Sequence, residues 1–197
     1  MFGFSGNEIA APIIVKGLKR MEYRGYDSVG VATESENGIE LKKGTGKVNE
    51  VNSKVQLDKL PGKIGIGHTR WATHGVPNDV NAHPHTSNSG RLVLVHNGII
   101  ENYESLRSYL TDQGFSFSSE TDTEVLVNLI EHIQITQGLK TGKAVQIALN
   151  QVVGAYSIAV FDKERPKEVV VAKLGSPLAI GLGKDEYFIA SDASPFI

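Results

Sequence analysis

Arg70, Asp122 and the pair Asn97-Gly98 are the residues whose chemistry is most specific in this chain. A guanidinium presents a planar fork that holds a carboxylate through two parallel hydrogen bonds. Arg70 follows an apolar segment and stands beside Trp71, the only tryptophan. Asp122, at a helix start, either holds an ammonium group or caps the helix. With Arg70 it would grip both charged ends of an amino acid. The competing reading is a structural Arg–Asp pair. Asn97-Gly98 joins a side-chain amide to a glycine N–H after an apolar strand, the parts of an oxyanion hole. The same dipeptide also forms ordinary turns.

Five of the six histidines, His68, His74, His83, His85 and His96, lie between Gly67 and Gly98. His83 and His85 would share one face of a strand, but a catalytic zinc usually needs a third ligand. No carboxylate accompanies them at a familiar spacing, so the expectation is hydrogen-bonded structural histidines, no metal and no cofactor. No Gly-x-Ser-x-Gly elbow singles out a serine nucleophile. The chain has no cysteine, which excludes disulfides, thiolate metal sites and a thiol nucleophile within it. A formal charge of -2, with no basic run longer than two residues, argues against nucleic acid. No apolar run approaches the roughly 20 residues of a membrane span, and no leader is visible. These features set the expectation of a cytoplasmic protein without a membrane partner.

The elements that must position these residues are legible from periodicity. Phe2–Gly6 reads as a short strand. Ile9, Ala10, Ile13, Ile14, Gly17, Leu18 and Met21 then mark a helix with one buried stripe, Pro12 being tolerable only in its first turn. Val29–Ala32 and Ile39–Leu41 form a hairpin around Asn37-Gly38. Val48, Val51 and Val55 mark a short helix stopped by Pro61-Gly62. Ile64–Ile66 and Leu92–Val95 are apolar strands covered on both faces. The stretch from Gly67 to Gly98, which includes the second of these strands, has almost no regular apolar period and reads as ligand-holding loops. Tyr103, Leu106 and Leu110 mark a helix ended by Gly114. Thr121 and Glu124 have capping-box spacing for the next helix, which carries Val125, Leu129, Ile130 and Ile133. A third helix holds Ala144, Ile147 and Ala148, with Gln151-Val152 at its tail. Strands at Tyr156–Phe161, Val169–Ala172, Leu178–Ile180 and Tyr187–Ala190 complete the chain. Strands, then helices, then strands argue for one domain of α+β layers.

Five long runs in order give a more specific signal. They are Leu18-Lys19-Arg20-Met21-Glu22-Tyr23-Arg24-Gly25-Tyr26-Asp27-Ser28; Gly67-His68-Thr69-Arg70-Trp71-Ala72-Thr73-His74-Gly75; Asn81-Ala82-His83-Pro84-His85-Thr86; His96-Asn97-Gly98-Ile99-Ile100-Glu101-Asn102; and Ser119-Glu120-Thr121-Asp122-Thr123-Glu124. Together they resemble the N-terminal glutaminase domain of the glutamine–fructose-6-phosphate aminotransferase family, over nearly the whole of residues 1–197. The resemblance implies an N-terminal-nucleophile hydrolase fold, a four-layer α/β/β/α sandwich of two antiparallel sheets between helices. It implies L-glutamine as substrate, with ammonia passed to sugar isomerase domains that hold fructose 6-phosphate, in a homodimer when full length. Carried over by residue, Arg70 binds the glutamine α-carboxylate and Asp122 its α-ammonium. Thr73 and His74 line the pocket, and Asn97 with the Gly98 N–H forms the oxyanion hole. Trp71 shields the ammonia path, and Arg24 contributes from a preceding loop.

Two departures bear on activity. The family begins Cys-Gly-Ile ahead of an apolar-Gly pair, the cysteine thiol attacking the amide and its own α-amine serving as base. Here Met1 precedes Phe2-Gly3. The expectation is a retained glutamine pocket without its nucleophile, inactive as it stands. The alternative is a non-catalytic glutamine- or glutamate-binding regulatory module. The chain also stops at Ile197, where the sugar isomerase domains would begin, so it would be at most the ammonia-releasing half.

Overall fold

The computed structural model describes residues 1–165 and 167–196. In chain order the elements are β1 (Phe2–Ser5), α1 (Ala10–Arg20), β2 (Ser28–Ser35), β3 (Gly38–Thr45), α2 (Val48–Val55), β4 (Ile64–Arg70), β5 (His85–Thr86) and β6 (Leu92–Ile100). There follow α3 (Tyr103–Asp112), α4 (Asp122–Gln137), α5 (Thr141–Leu149), β7 (Gly154–Asp162), β8 (Val169–Leu174), β9 (Ala179–Leu182) and β10 (Tyr187–Ala190). One sheet has the order β3-β2-β4-β1-β10-β9 and the other β5-β6-β7-β8, with antiparallel neighbours throughout.

Three apolar clusters fix four layers, α/β/β/α. Ile14 and Leu18 of α1 and Val48 and Val51 of α2 pack on the outer face of the six-stranded sheet with Phe2, Phe4, Val29 and Val31. Gly67 of β4 permits this approach, because a Cβ there would sit 2.7 Å from Ile14 Cγ2. Met1, Ala32, Ile66, Val93, Val95, Ala159 and Phe161 fill the space between the two sheets. Leu92, Leu94, Ile158 and Val160 face α3, α4 and α5 on the far side. α4 is buried around nearly its whole circumference, since β6 lies beneath it and α3 and α5 flank it. Its apolar stripe alone understates that burial.

Several boundaries differ from the sequence reading. β4 continues through His68, Thr69 and Arg70, and β6 through His96, Asn97, Gly98 and Ile100. The loops proper are therefore residues 71–84 and the short turn 87–91. Polar side chains break the apolar pattern because they bond across the gap between the sheets, while backbone pairing continues beneath them. α2 ends at Val55, with Gln56 left-handed (φ 56°) and Leu57–Lys59 forming a 3-10 turn. α5 ends at Leu149, leaving Gln151-Val152 outside it. Thr121 caps α4 by accepting from Glu124 N at 3.3 Å. The reciprocal arm of the capping box is absent: Glu124 binds Ser118 and Ser119, and Thr121 N donates to Ser119 Oγ at 3.2 Å.

Candidate active site

The C-terminal ends of β4 and β6, the start of α4 and the 71–84 loop enclose a pocket of about 350 Å³. All eight expected residues line it: Arg24, Arg70, Trp71, Thr73, His74, Asn97, Gly98 and Asp122. Met1, His68, His83, His96, Thr121, Thr123 and Ser191 share its walls.

Arg70 is 3% exposed. Its Nη2 donates to the carbonyl oxygens of His74 and Gly75, folding the loop back over the guanidinium. Its Nη1 is buried and has no partner among the described residues. Burial lowers its pKa, and the carboxylates of Asp27, Asp122 and Glu120 oppose that shift. It therefore remains a cation with one nitrogen in reserve.

Asp122 is the first residue of α4, where a carboxylate is favoured by the helix dipole. One oxygen accepts from Ile100 N at 2.9 Å and lies 3.9 Å from Nδ1 of both His74 and His96. The cap itself is Thr121, so Asp122 does more than end a helix. It faces the pocket, as an ammonium partner would.

Asn97 and Gly98 sit within β6 opposite Ser157 and Tyr156. His68 Nε2 lies 2.6 Å from Asn97 Oδ1, a contact that joins the two sheets. Gly98 has φ +124°, and a Cβ there would meet the Ala155 carbonyl oxygen at 2.0 Å. A side chain at this position would need strained backbone and would collide with backbone at once. Gly98→Ala is expected to lower the unfolding free energy by about 3 kcal/mol or more, read from urea denaturation. A loss below about 1 kcal/mol would show that the strand does not hold this conformation.

The loop is tied at several points. Ala72 N donates to Asp27 Oδ2 at 2.5 Å. Asn81 donates to Val76 O and Glu120 Oε2, and its Oδ1 accepts from Glu120 N at 3.0 Å. Lys43 donates to the carbonyls of Val80, Ala82 and Pro84, and its burial pushes the ammonium down to about 8. His74 stacks edge-on against Tyr103 at 4.7 Å. Trp71 is 63% exposed at the mouth, held edge-on by Tyr26. Arg24 lies at the rim, where it donates to Ser191 O at 2.7 Å and pairs with Asp192.

Four buried histidines line the gap behind the pocket. His83 Nε2 and His96 Nδ1 both contact Thr123 Oγ1, at 2.8 and 3.0 Å, and His85 Nε2 lies 3.1 Å from Thr121 Oγ1. The His68 and His83 rings stack at 4.4 Å. These are the hydrogen-bonded histidines expected from the sequence. Burial is the first cause lowering all four pKa values, so they are neutral near pH 7.

Sequence reading did not single out Lys43, Asp27 or Thr123. The Met1 amine is buried, donates to Ser191 Oγ at 2.9 Å, and is pushed down to about 5 by burial and then by Arg24. Lys43 left no signal because its partners are backbone carbonyls, which every residue carries. Asp27 and Thr123 did lie inside the family-like runs.

The glutamine amidotransferase domain family matches residues 55–197. The chain is 54% identical over 196 residues to the glutamine–fructose-6-phosphate aminotransferase (isomerizing) of Bacteroides thetaiotaomicron, covering 99% of this chain and 32% of that one. It is 49% identical over 198 residues to the enzyme of the same name from Pyrococcus horikoshii, covering 100% of this chain and 33% of that one. The chain thus spans about a third of the length of these relatives. Among solved structures, the glutamine phosphoribosylpyrophosphate amidotransferase from B. subtilis, complexed with ADP and GMP, superposes with a TM-score of 0.86 at 32% identity. That match covers 99% of this chain and 42% of the other. The layered sandwich is therefore the N-terminal-nucleophile hydrolase fold, and the chain belongs to the glutamine amidotransferase domain family.

Proposed function

We propose that residues 1–197 form the glutamine-hydrolysing domain of an enzyme that makes glucosamine 6-phosphate from fructose 6-phosphate and glutamine. The observation that carries this reading is a single pocket holding an unpaired guanidinium nitrogen, a carboxylate and an amide-plus-glycine pair. Arg70 Nη1 receives the α-carboxylate and Asp122 the α-ammonium, which fixes the side-chain amide near Asn97 and Gly98. Asn97 Nδ2 and the Gly98 N–H stabilise the oxyanion. Thr73 and His74 close over the substrate, and Trp71 keeps water from the departing ammonia. Arg24 acts at the rim by fixing the Ser191–Asp192 segment beside the terminal amine.

The reading places a cysteine ahead of Phe2 as nucleophile. Its α-amine takes the thiol proton as the sulfur attacks the amide carbon; the C–N bond then breaks, and ammonia leaves with that proton. Water then hydrolyses the thioester to glutamate. Phe2 pairs with Gly67, so β1 continued backwards in register runs past Thr69 towards Arg70 and the pocket. Without a cysteine in the sequence, this form is inactive in our reading. The sugar isomerase partner domains, a homodimeric full-length enzyme and a cytoplasmic location belong to the same proposal; no helix among the described residues is long and apolar enough to cross a membrane.

The test is glutamate release from L-glutamine by this chain and by a version with Cys-Gly-Ile in place of Met1 and a free cysteine amine. The replaced version is expected to turn over and this chain to show no activity above background. If both fold and bind L-glutamate without turnover, the chain is instead a non-catalytic binding module. Turnover by the chain as it stands would sink the account of the nucleophile.

A further inference from the structure

We propose that His68 is a positioning residue of the oxyanion hole: its Nε2–H holds Oδ1 of Asn97 and so turns Nδ2 towards the reacting carbonyl. The inference rests on the glutaminase reading and deepens it. An asparagine amide has two ends of similar size and opposite polarity. Only the N–H end stabilises an oxyanion; the oxygen end would repel it. Asn97 stands on β6 in one sheet, and His68 on β4 in the other, with Nε2 and Oδ1 2.6 Å apart. No hydrogen bond among the described residues engages Asn97 Nδ2, so that donor is free for the pocket it lines.

The rest of the geometry selects one tautomer. A carboxamide oxygen only accepts, so Nε2 must carry the proton at this contact. Nδ1 of His68 is buried without a partner among the described residues. A proton there would leave an orphaned N–H and face one lone pair against another across 2.6 Å. The ring itself is held: it is 4% exposed and stacks on His83, whose Nε2 is bound to Thr123 beside Asp122. His68 therefore cannot swing away to release Asn97. The ammonium-binding carboxylate and the oxyanion donor are fixed through one packed histidine layer.

Two measurements test this. On the chain as it stands, long-range proton–nitrogen NMR of the imidazoles is expected to show His68 neutral with its proton on Nε2 near pH 7, and perturbed in Asn97→Ala. A proton on Nδ1, or an imidazolium, overturns the proposal. In the version carrying Cys-Gly-Ile ahead of Phe2, His68→Ala is expected to lower kcat roughly 10- to 100-fold, a part of what loss of an oxyanion donor costs, with KM within about threefold. His68→Gln, which returns an N–H at similar reach, is expected to recover most of that loss. His68→Ala is expected to add little to Asn97→Ala. An unchanged kcat, a rise confined to KM, failed rescue by the folded glutamine variant or additive losses would each overturn the assignment. No turnover by a folded parent overturns the glutaminase reading and the role with it, while the imidazole spectrum still reports the bond separately.

Discussion

Replacing Arg70 with alanine is expected to weaken L-glutamate or L-glutamine binding about 30- to 4,000-fold, measured by titration calorimetry. Truncating one partner of a buried, hydrogen-bonded charge pair costs about 2–5 kcal/mol, and each 1.4 kcal/mol is a decade in Kd. Arg70 sits at the upper end of that class: it is almost wholly buried, and its free Nη1 is fixed by the same ring of contacts that occupies Nη2. Arg70→Lys keeps the charge but loses the fork, and is expected to recover only part of the loss. The alanine variant also frees the His74 and Gly75 carbonyls, so amide exchange around residues 72–76 should quicken while far-ultraviolet circular dichroism stays native. Unchanged affinity in folded Arg70→Ala would remove the carboxylate assignment and leave Arg70 as a loop clasp.

The second large effect is on stability. Acidification from pH 7.5 to 5.0 is expected to lower the urea midpoint, the fall steepening below about pH 6.5. His68, His83, His85 and His96 are buried, and burial is the first cause holding each pKa below its ordinary value of 6.5. Below pH 6.5 the unfolded chain takes up protons that the folded chain refuses. The stability these groups contribute is thus present above 6.5 and is lost as pH falls towards their folded values. The losses share one sign, so they add as pH falls through and below 6.5. Asp122 tempers the share of His96, since its charge favours the imidazolium. The Met1 amine, lowered from 8.0 to about 5, adds a loss of the same sign that begins near pH 8 and runs down to about 5. Asp162 acts in a lower window: held at about 2 by Arg91, Gln134 and Thr141 despite burial, it loses its contribution only below the ordinary 3.8. A midpoint constant from pH 7 to 5 would show that these histidines are not neutral in the folded chain.

Much of the architecture was legible because burial here follows simple periods. Ile14 and Leu18 announced α1, Asn37-Gly38 announced the β2–β3 hairpin, and Leu106 and Leu110 announced α3. The reading stopped short where structure is held by pairing across sheets. His68-Thr69-Arg70 and His96-Asn97-Gly98 look like loop because they are polar, yet each continues a fully paired strand. His68 meets Asn97 across 29 residues of sequence and His96 meets Thr123 across 27, relations no local pattern records. The pocket residues were named largely through the family-like runs. Spacing alone left Arg70 and Asp122 open to a purely structural reading, and it gave no hint of Lys43.

The two sheets lie face to face with only a thin apolar filling, and the pocket spans their seam. Arg70 belongs to one sheet, Asn97 and Gly98 to the other. The separation of Arg70 from Asn97 and Gly98, the proposed substrate grip and oxyanion donors, is therefore set as much by Ala32, Ala159, Val93 and Phe161, packed deeper in the same seam, as by the pocket residues themselves. Two of these four are alanines, the smallest side chains able to fill the space. Enlarging either would wedge the sheets apart like a shim in a hinge and shift the bite of the pocket with no ligand contact altered. Drift in catalytic efficiency among such domains can thus originate in interior volume, at positions that any survey of the binding surface would pass over.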